Sequence, residues 1–378
     1  MISQLKPLIE TQFTLAGLAM KSLVLLLLAA LPGSSVAAES CESPAGQLAQ
    51  CHLRVDCGPG PKGVAFSPNG QQIWVSLLAG PPSVEVYNVQ TGEKVHSLTL
   101  GTNGAVEVVF SRDGKTAFIS QMETALVYEI DVATMTTTTQ HSTRSTWTKV
   151  VEPSHDGRWL YVSNWVGNDV SRIDRTGQEK TRRLKTAKTP RGLHLTPDGD
   201  TLYVASFGTG KLQKMDTTSF AIQDLYQGGV MRHLVADDLS GKLFASDMRR
   251  GQILVHDIAA GTTAQLARTD ANPNTIALSP DGQVLAVSCR GRNNRESYYL
   301  PGPEWGSILL FDTATGRKLD GIVGGNQPTG LAVSPDGKWL ASTDLLDNRV
   351  SLYRLPDSAT LKAGNGGRSA LYKAEMKK

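Results

Sequence analysis

A chain of 378 residues with 40% hydrophobic, 6% aromatic and 19% charged residues is too apolar to be a disordered polyelectrolyte. Thirty-eight Lys and Arg against 35 Asp and Glu leave a formal charge of +3, which excludes a chain that is basic throughout and grips nucleic acid or membrane by bulk charge. Any basic site has to be a local arrangement of side chains.

In chain order, residues 1–38 read as an export signal. Lys21 precedes a short apolar run, Ser-Leu-Val-Leu-Leu-Leu-Leu-Ala-Ala-Leu, and small residues follow at Val36-Ala37-Ala38. About ten apolar residues are too few to span a bilayer. Met20 sits directly before Lys21 and is the expected start of translation. Ala38-Glu39-Ser40-Cys41 is a poor lipid-attachment sequence, so the mature chain is expected to be soluble and periplasmic or secreted. No later segment is long and apolar enough to be transmembrane. Residues 39–50 form an N-terminal Cys-containing segment. Export makes Cys41, Cys51, Cys57 and Cys289 potential disulfide partners. If 51–57 is a strand, Cys51 and Cys57 lie roughly 20 Å apart, which leaves Cys41 as the partner of one of them.

From residue 51 to 357 the sequence repeats. A Gly preceded by Asp, Asn or Ser recurs at Gly70, Gly114, Gly157, Gly199, Gly241, Gly282 and Gly337, with spacings of 44, 43, 42, 42, 41 and 55. Several of these turns read Ser/Thr-Pro-Asp/Asn-Gly, a tight-turn chemistry in which Pro presets φ and Gly accepts positive φ. After each turn comes a strand such as Thr201-Leu-Tyr-Val-Ala205. A third strand follows, such as Ile253-Leu-Val-His256, which closes on Asp or Asn at Asn88, Asp131, Asp174, Asp216, Asp257 and Asp312. A fourth strand completes the unit. Seven such units predict an all-β, single seven-bladed β-propeller of four-stranded blades. The seventh repeat stops after its third strand, Val350-Ser-Leu-Tyr-Arg354, so an N-terminal strand at about Cys51–Asp56 is expected to complete the last blade and close the ring. Residues 358–378, with five basic residues against Glu375, are expected to be a flexible basic tail.

Pro190-Arg-Gly-Leu-His-Leu-Thr-Pro-Asp-Gly-Asp-Thr-Leu-Tyr-Val-Ala205, Tyr161-Val-Ser-Asn164 and Gly167-Asn-Asp-Val-Ser-Arg-Ile-Asp174 resemble the YVTN-type β-propeller repeat of YncE-like exported proteins. The resemblance covers residues 61–355. It implies a periplasmic or surface propeller, with single-stranded DNA binding in one family member, and lactonases among more distant relatives.

The signature Asp and Gly residues build turns, so function is sought at positions that vary between repeats. The residue just before the first strand of each unit reads Lys62, Val106, Lys149, Arg191, Arg232, Asn274 and Thr329. In a propeller these positions converge on one end of the channel, and four of them are cations. Loops on the same face add Asn164, Trp165, Phe207, Lys211, Arg249, Arg250, Arg290 and Asn293. Like charges around a narrow mouth repel, and a low-dielectric wall focuses their field onto any anion between them; guanidinium suits carboxylate or phosphate. The long sixth spacing comes from an insertion, Arg292–Trp305, whose Tyr298, Tyr299 and Trp305 are candidates for a lid. Trp165, Phe207 and Tyr298 beside arginine also suit stacking on bases, whereas Trp74, Trp147 and Trp159 are expected between blades.

A catalytic alternative uses Arg232, His233 and Asp247, which resemble the Arg-His and downstream acid of lactonase-type propellers, with Met231 in place of the usual Pro and Asp247 in place of the Glu. No metal-ligand spacing or phosphate loop occurs, and no cofactor is expected. The sequence thus points to a binding module for an anionic small molecule or polyanion, single-stranded nucleic acid or a partner protein among them. A lactone or ester hydrolase on the same face, or a protein-interaction scaffold, are the alternatives.

Overall fold

A computed structural model describes residues 38–364, 366, 368 and 370–378; the expected signal up to residue 37, with Met20, lies outside the described residues. Seven antiparallel sheets follow one another along the chain. Blade one occupies residues 61–98, blade two 107–142, blade three 148–185, blade four 190–227, blade five 231–268 and blade six 273–323. Blade seven joins three C-terminal strands from 328–354 to the N-terminal strand Gln50–Asp56, which pairs with Arg349–Arg354; the two-residue strand Glu39–Ser40 adds a fifth. The ring is therefore closed by its two ends, which complete one blade together.

The turn chemistry is visible atom by atom. At Ser67-Pro-Asn-Gly70 the Gly70 amide donates to the Ser67 carbonyl at 2.8 Å with φ +70°, and the Ser67 hydroxyl accepts from the Gln72 amide at 3.0 Å. The Asp residues that close the third strands cap the next turn: Asp131 accepts from the Thr134 amide at 2.8 Å, and Asp257 from that of Ala260 at 2.8 Å. These residues are occupied with backbone.

The apolar core is distributed between blades. One cluster joins Trp74, Val84 and Val86 of blade one to Ile119 and Tyr128 of blade two, and a cluster of this kind lies at each of the seven interfaces. The axis is left to polar side chains. Cys41 and Cys51 form a disulfide, while Cys57 and Cys289 are free.

The C-terminal residues differ from the flexible tail expected of them. Helix α1 (Ser358–Ala363) is capped by Asp357, and α2 (Tyr372–Glu375) docks on the outer strand of blade six. Tyr372 is fully buried, donates to Asp270 at 2.7 Å and accepts from Lys318 at 2.9 Å. Gly321 leaves the strand bare where a Cβ would collide with the Tyr372 ring. Charge counting missed this because Leu361, Tyr372 and Met376, all buried, anchor the segment among its lysines. No described helix is long and apolar enough to cross a membrane.

Candidate functional site

The channel mouth is built by a hydroxyl near the end of the second strand in most blades. Ser163 accepts from the Val150 amide at 3.1 Å and donates to the Arg191 carbonyl of the next blade at 3.0 Å. Ser246 does the same between His233 (3.1 Å) and the Asn274 carbonyl (2.8 Å), and Ser76 between Gly63 (2.8 Å) and the Val106 carbonyl (2.9 Å). The carbonyls of Val106, Arg191 and Asn274 are thus latched to the preceding blade, whereas the equivalent Ser206 hydroxyl, before Arg232, makes no such bond among the described residues.

Side chains at the mouth form a buried cationic cluster. Lys62, Arg191 and Arg232 are 9%, 4% and 6% exposed, and Arg290, from the loop after the second strand of blade six, is 5% exposed. Lys149 joins them, with its ammonium 2.7 Å from the Met122 sulfur and over the rings of Trp147 (5.4 Å) and Trp165 (5.7 Å). Arg232 donates to Asn274, and Arg290 donates to Gln327 while stacking 4.0 Å over Tyr298. The acid set against them is Glu107, 3.6 Å from Arg191, with Glu123 acting on Lys149 from further off. Arg191 Nη1 and Arg290 Nε are buried with no hydrogen-bond partner among the described residues.

The electrostatic cost is legible in the proton affinities. Burial, then Arg232, Arg290, Arg191 and Lys149, hold the Lys62 ammonium well below the usual lysine range. Burial, then Arg191 and Arg232, bring Lys149 down to about 7 against the opposing pull of Glu123 and Glu107. Burial followed by Arg191 lowers Arg232 as well; an arginine stays charged regardless, so the shift measures repulsion. Burial pushes the Glu107 carboxyl up, against the pull of Arg191, Arg232 and Lys62. An anion entering this space would find donors already desolvated and pre-aimed.

The chain is similar to Antigen Lp49 of Leptospira interrogans, with 33% identity over 317 residues, 80% of this chain and 68% of that protein. It belongs to the Antigen Lp49 family. Residues 108–222 match the model of the lactonase-type seven-bladed β-propeller, and residues 318–354 match the WD domain, G-beta repeat. Two solved structures share the fold of this Lp49-family chain. Hydrazine synthase of Kuenenia stuttgartiensis has a TM-score of 0.63 at 19% identity, covering 78% of this chain and 96% of that one. The Cps50 (Swd1) β-propeller domain of Myceliophteria thermophila has a TM-score of 0.64 at 13% identity, covering 79% and 98%.

In this member of the Lp49 family the residues singled out in the sequence separate into three groups. Lys62, Lys149, Arg191, Arg232, Arg290 and Trp165 meet at the mouth, Trp165 pairing with Phe207 at 4.6 Å between ring centroids. Asn164 and Asp247 do not reach it. Asn164 is fully buried and donates to Asp169 (2.8 Å) and Ser171 (2.9 Å), and Asp247 accepts from the amides of Gly229 and Val230 at 2.9 Å each. Both occupy the last place of a second strand, where the side chain turns back to hold a loop. Arg249 and Asn293 are exposed.

The insertion reaches over the mouth through two of its three aromatics. Tyr298 stacks on Arg290 and acts electrostatically on Arg191 and Arg232, while Tyr299 packs on Tyr298 at 5.3 Å and feels Glu123 of blade two. Trp305 departs from the lid expected of it: its amide donates to the Met376 carbonyl at 2.8 Å and Lys378 stands 4.3 Å over its ring, so it is held by the C-terminal segment. Trp74 lies in the cluster between blades one and two, and Trp159 packs against that between blades three and four with guanidinium groups on its ring, both as expected, whereas Trp147 stands beside Lys149.

The catalytic arrangement does not assemble. His233 Nδ1 is buried without a partner among the described residues, and burial, then Arg191 and Arg232, lower its pKa to about 3, so it is a weak base. Asp247, which would orient it, is occupied by backbone amides. Among the described residues no three His, Cys, Asp or Glu side chains come together to hold a metal. Glu107 was missed in the sequence because it follows Val106, whose carbonyl holds the repeat position; an acid in front of Val108-Val-Phe110 was the available signal.

Proposed function

We propose that this protein is an exported propeller of the YVTN-repeat kind, acting as a binding module for a small multivalent anion at the cationic mouth of its channel. The observation that carries this reading is the convergence of five cations from five blades, four of them nearly inaccessible to water, around one close carboxylate. Buried like charges destabilise the empty protein, and a bound oxyanion would offset that repulsion with charge-assisted hydrogen bonds. Tyr298 and Tyr299 would then exclude water above the ligand. Export is supported by the Lys21–Ala38 pattern and by the Cys41–Cys51 disulfide, which belongs to an oxidising compartment. A sulfur engaged in that bond is not available to carry a lipid.

Lactone hydrolysis on the same face is the second reading, favoured by the lactonase-type match. That match ends at residue 222, before Arg232 and His233, and the low basicity of His233 weighs against it.

Isothermal titration with citrate and inorganic phosphate tests the proposal. Wild type should bind at least one of them, and Arg191→Met or Arg232→Met should weaken binding by about 100-fold, the scale of a desolvated charge pair. His233→Gln should leave affinity within a few-fold. Binding to neither anion, or equal binding by the arginine variants, overturns the reading. Turnover of a lactone panel that disappears in His233→Ala would replace it with the hydrolase.

A further inference from the structure

The outer side of blade three carries a second concentration of cations, which the channel does not use. Lys180, Arg182, Arg183, Lys185 and Lys188 are all exposed, on or beside the outermost strand Arg182–Lys185. Charging an outer strand to prevent edge-to-edge pairing is common. Other blades of this ring do without it: Thr136–Ser142 has no Lys, Arg, Asp or Glu, Ile222–Gln227 has a single acid, and Thr262–Arg268 has a single cation. Edge protection alone therefore does not explain blade three.

Beside this strand lies a groove of about 600 Å³ whose walls include Trp159, Tyr161, Arg172, Arg182 and, from blade four, Phe220. Tyr161, Arg172 and Arg182 are cross-strand neighbours in register, which sets two arginines directly opposite each other. Such a like-charged pair is unfavourable on its own. Here the cations alternate with rings. Arg158 lies 4.4 Å and Arg172 4.1 Å from the Trp159 centroid, and Arg172 lies 5.0 Å and Arg182 4.4 Å from that of Phe220. Stacking buries Nε of Arg158 and Arg172 without a hydrogen-bond partner among the described residues, while their Nη groups donate to Asp174 at 3.3 Å from Arg158 and to the Thr217 carbonyl at 3.4 Å from Arg172. Glu179 accepts one contact from each at 3.1 Å, while Arg182 makes no ion pair among the described residues.

We propose that this groove and its cationic border bind an extended sulfated polysaccharide, whose charges follow the strand while a sulfate docks on the Arg182 guanidinium. The ladder itself selects this class. Trp159 and Phe220 each already carry two guanidinium groups within 5.0 Å of the ring centroid and pack against the core between blades three and four. Single-stranded nucleic acid is held through open aromatic faces on which bases stack, and on these two rings arginine and the core already compete for that place. A lipid surface is flat, whereas these cations border a concavity between two blades. A flexible chain carrying fixed charge on its outside fits both features.

The test is retention on immobilised dextran sulfate, with neutral dextran as the control. Wild type should be retained by the sulfated matrix only. The variant Lys180→Gln/Arg182→Gln/Lys185→Gln/Lys188→Gln changes four exposed side chains and should melt at the wild-type temperature. Its affinity at low salt should fall at least tenfold, and the dependence of log affinity on log salt should become shallower by about three to four. Arg232→Met, at the channel, should elute with wild type, which separates this site from the mouth. Unchanged elution of the quadruple variant, loss of retention in Arg232→Met, or tighter binding to oligothymidylate or phosphatidylglycerol vesicles of matched charge would each overturn the proposal.

Discussion

Lys62, Lys149, Arg191, Arg232 and Arg290 gather from five blades into the channel, whereas Lys180, Arg182, Arg183, Lys185 and Lys188 lie along one outer strand in water. The number of charges is the same and the energetics are opposite. In the channel, burial lowers the proton affinity of every member, and repulsion from neighbouring cations lowers that of Lys62, Lys149 and Arg232 further. Along blade three each side chain is exposed, so water and salt screen most of the repulsion. Formal charge counts cannot tell these groups apart. The place of a residue within the repeat can, because the first strand faces the axis and the fourth faces solvent.

The pH dependence separates the two groups most sharply. Lys149 is depressed from the ordinary lysine value to about 7, and Lys62 shifts the same way; Arg191, Arg232, Glu107 and Glu123 are the charges that face Lys149. Between pH 7 and about 9 the unfolded chain therefore binds more protons than the folded one, and stability should rise with pH. From about pH 8 Cys57 and Cys289, and at higher pH the buried Tyr87 and Tyr372, whose folded pKa values are all raised, oppose the trend. Urea unfolding should show a gain on the order of 1–2 kcal/mol from pH 7 to 9, reduced in Lys149→Met. Anion affinity should move the other way, falling about tenfold over the same interval as the ammonium is lost. A flat stability profile in wild type would mean that the cluster is solvated like the outer strand.

How much of this was readable in advance follows from the same positional logic. The repeat spacing located the blades and the ring closure, because Gly at positive φ and Asp caps are required wherever these turns occur. It also located four of the five channel cations, since a fixed register carries a side chain to a fixed place. Asn164 and Asp247 were misassigned because a polar residue at the end of a second strand suits a binding loop and a loop pin equally. The recurrence of Gln121 and Asp344 at that place was the overlooked sign: Gln121 donates to the Leu100 carbonyl at 2.8 Å, and Asp344 accepts from the Gly325 amide at 2.9 Å. Trp305 was beyond reach, since its partners, Met376 and Lys378, are brought to it only by the docking of a segment with no repeat pattern.

A smaller effect is expected from Tyr298→Ala. The ring covers Arg290, and its backbone carbonyl accepts from Gln327 at 2.7 Å, so truncation leaves the loop in place but uncovers one guanidinium. Affinity for the mouth anion should fall about fivefold, consistent with loss of one cation–π contact of roughly 1 kcal/mol, and mainly through faster release. Stopped-flow fluorescence reporting on Trp147 and Trp165 measures this directly. A loss as large as that of Arg232→Met would show that the insertion supplies the binding contacts and that the channel cations only support it.

The weakest effect belongs to single changes on the outer strand, and its weakness is what the contrast requires. Lys185→Gln removes one exposed charge from a row of five. Surface substitutions of this kind stay within about 0.5 kcal/mol, and the Debye length of about 8 Å at physiological salt screens the charge from distant sites. Thermal unfolding at pH 7 and citrate affinity at 0.15 M salt should both match wild type. Lowering the salt should then reveal a small stabilisation of the variant, because repulsion among its remaining neighbours is no longer screened and wild type carries one more like charge. If Lys185→Gln instead changed citrate affinity several-fold at physiological salt, the two cation groups would be one electrostatic unit, and the blade-three groove could not be an independent site.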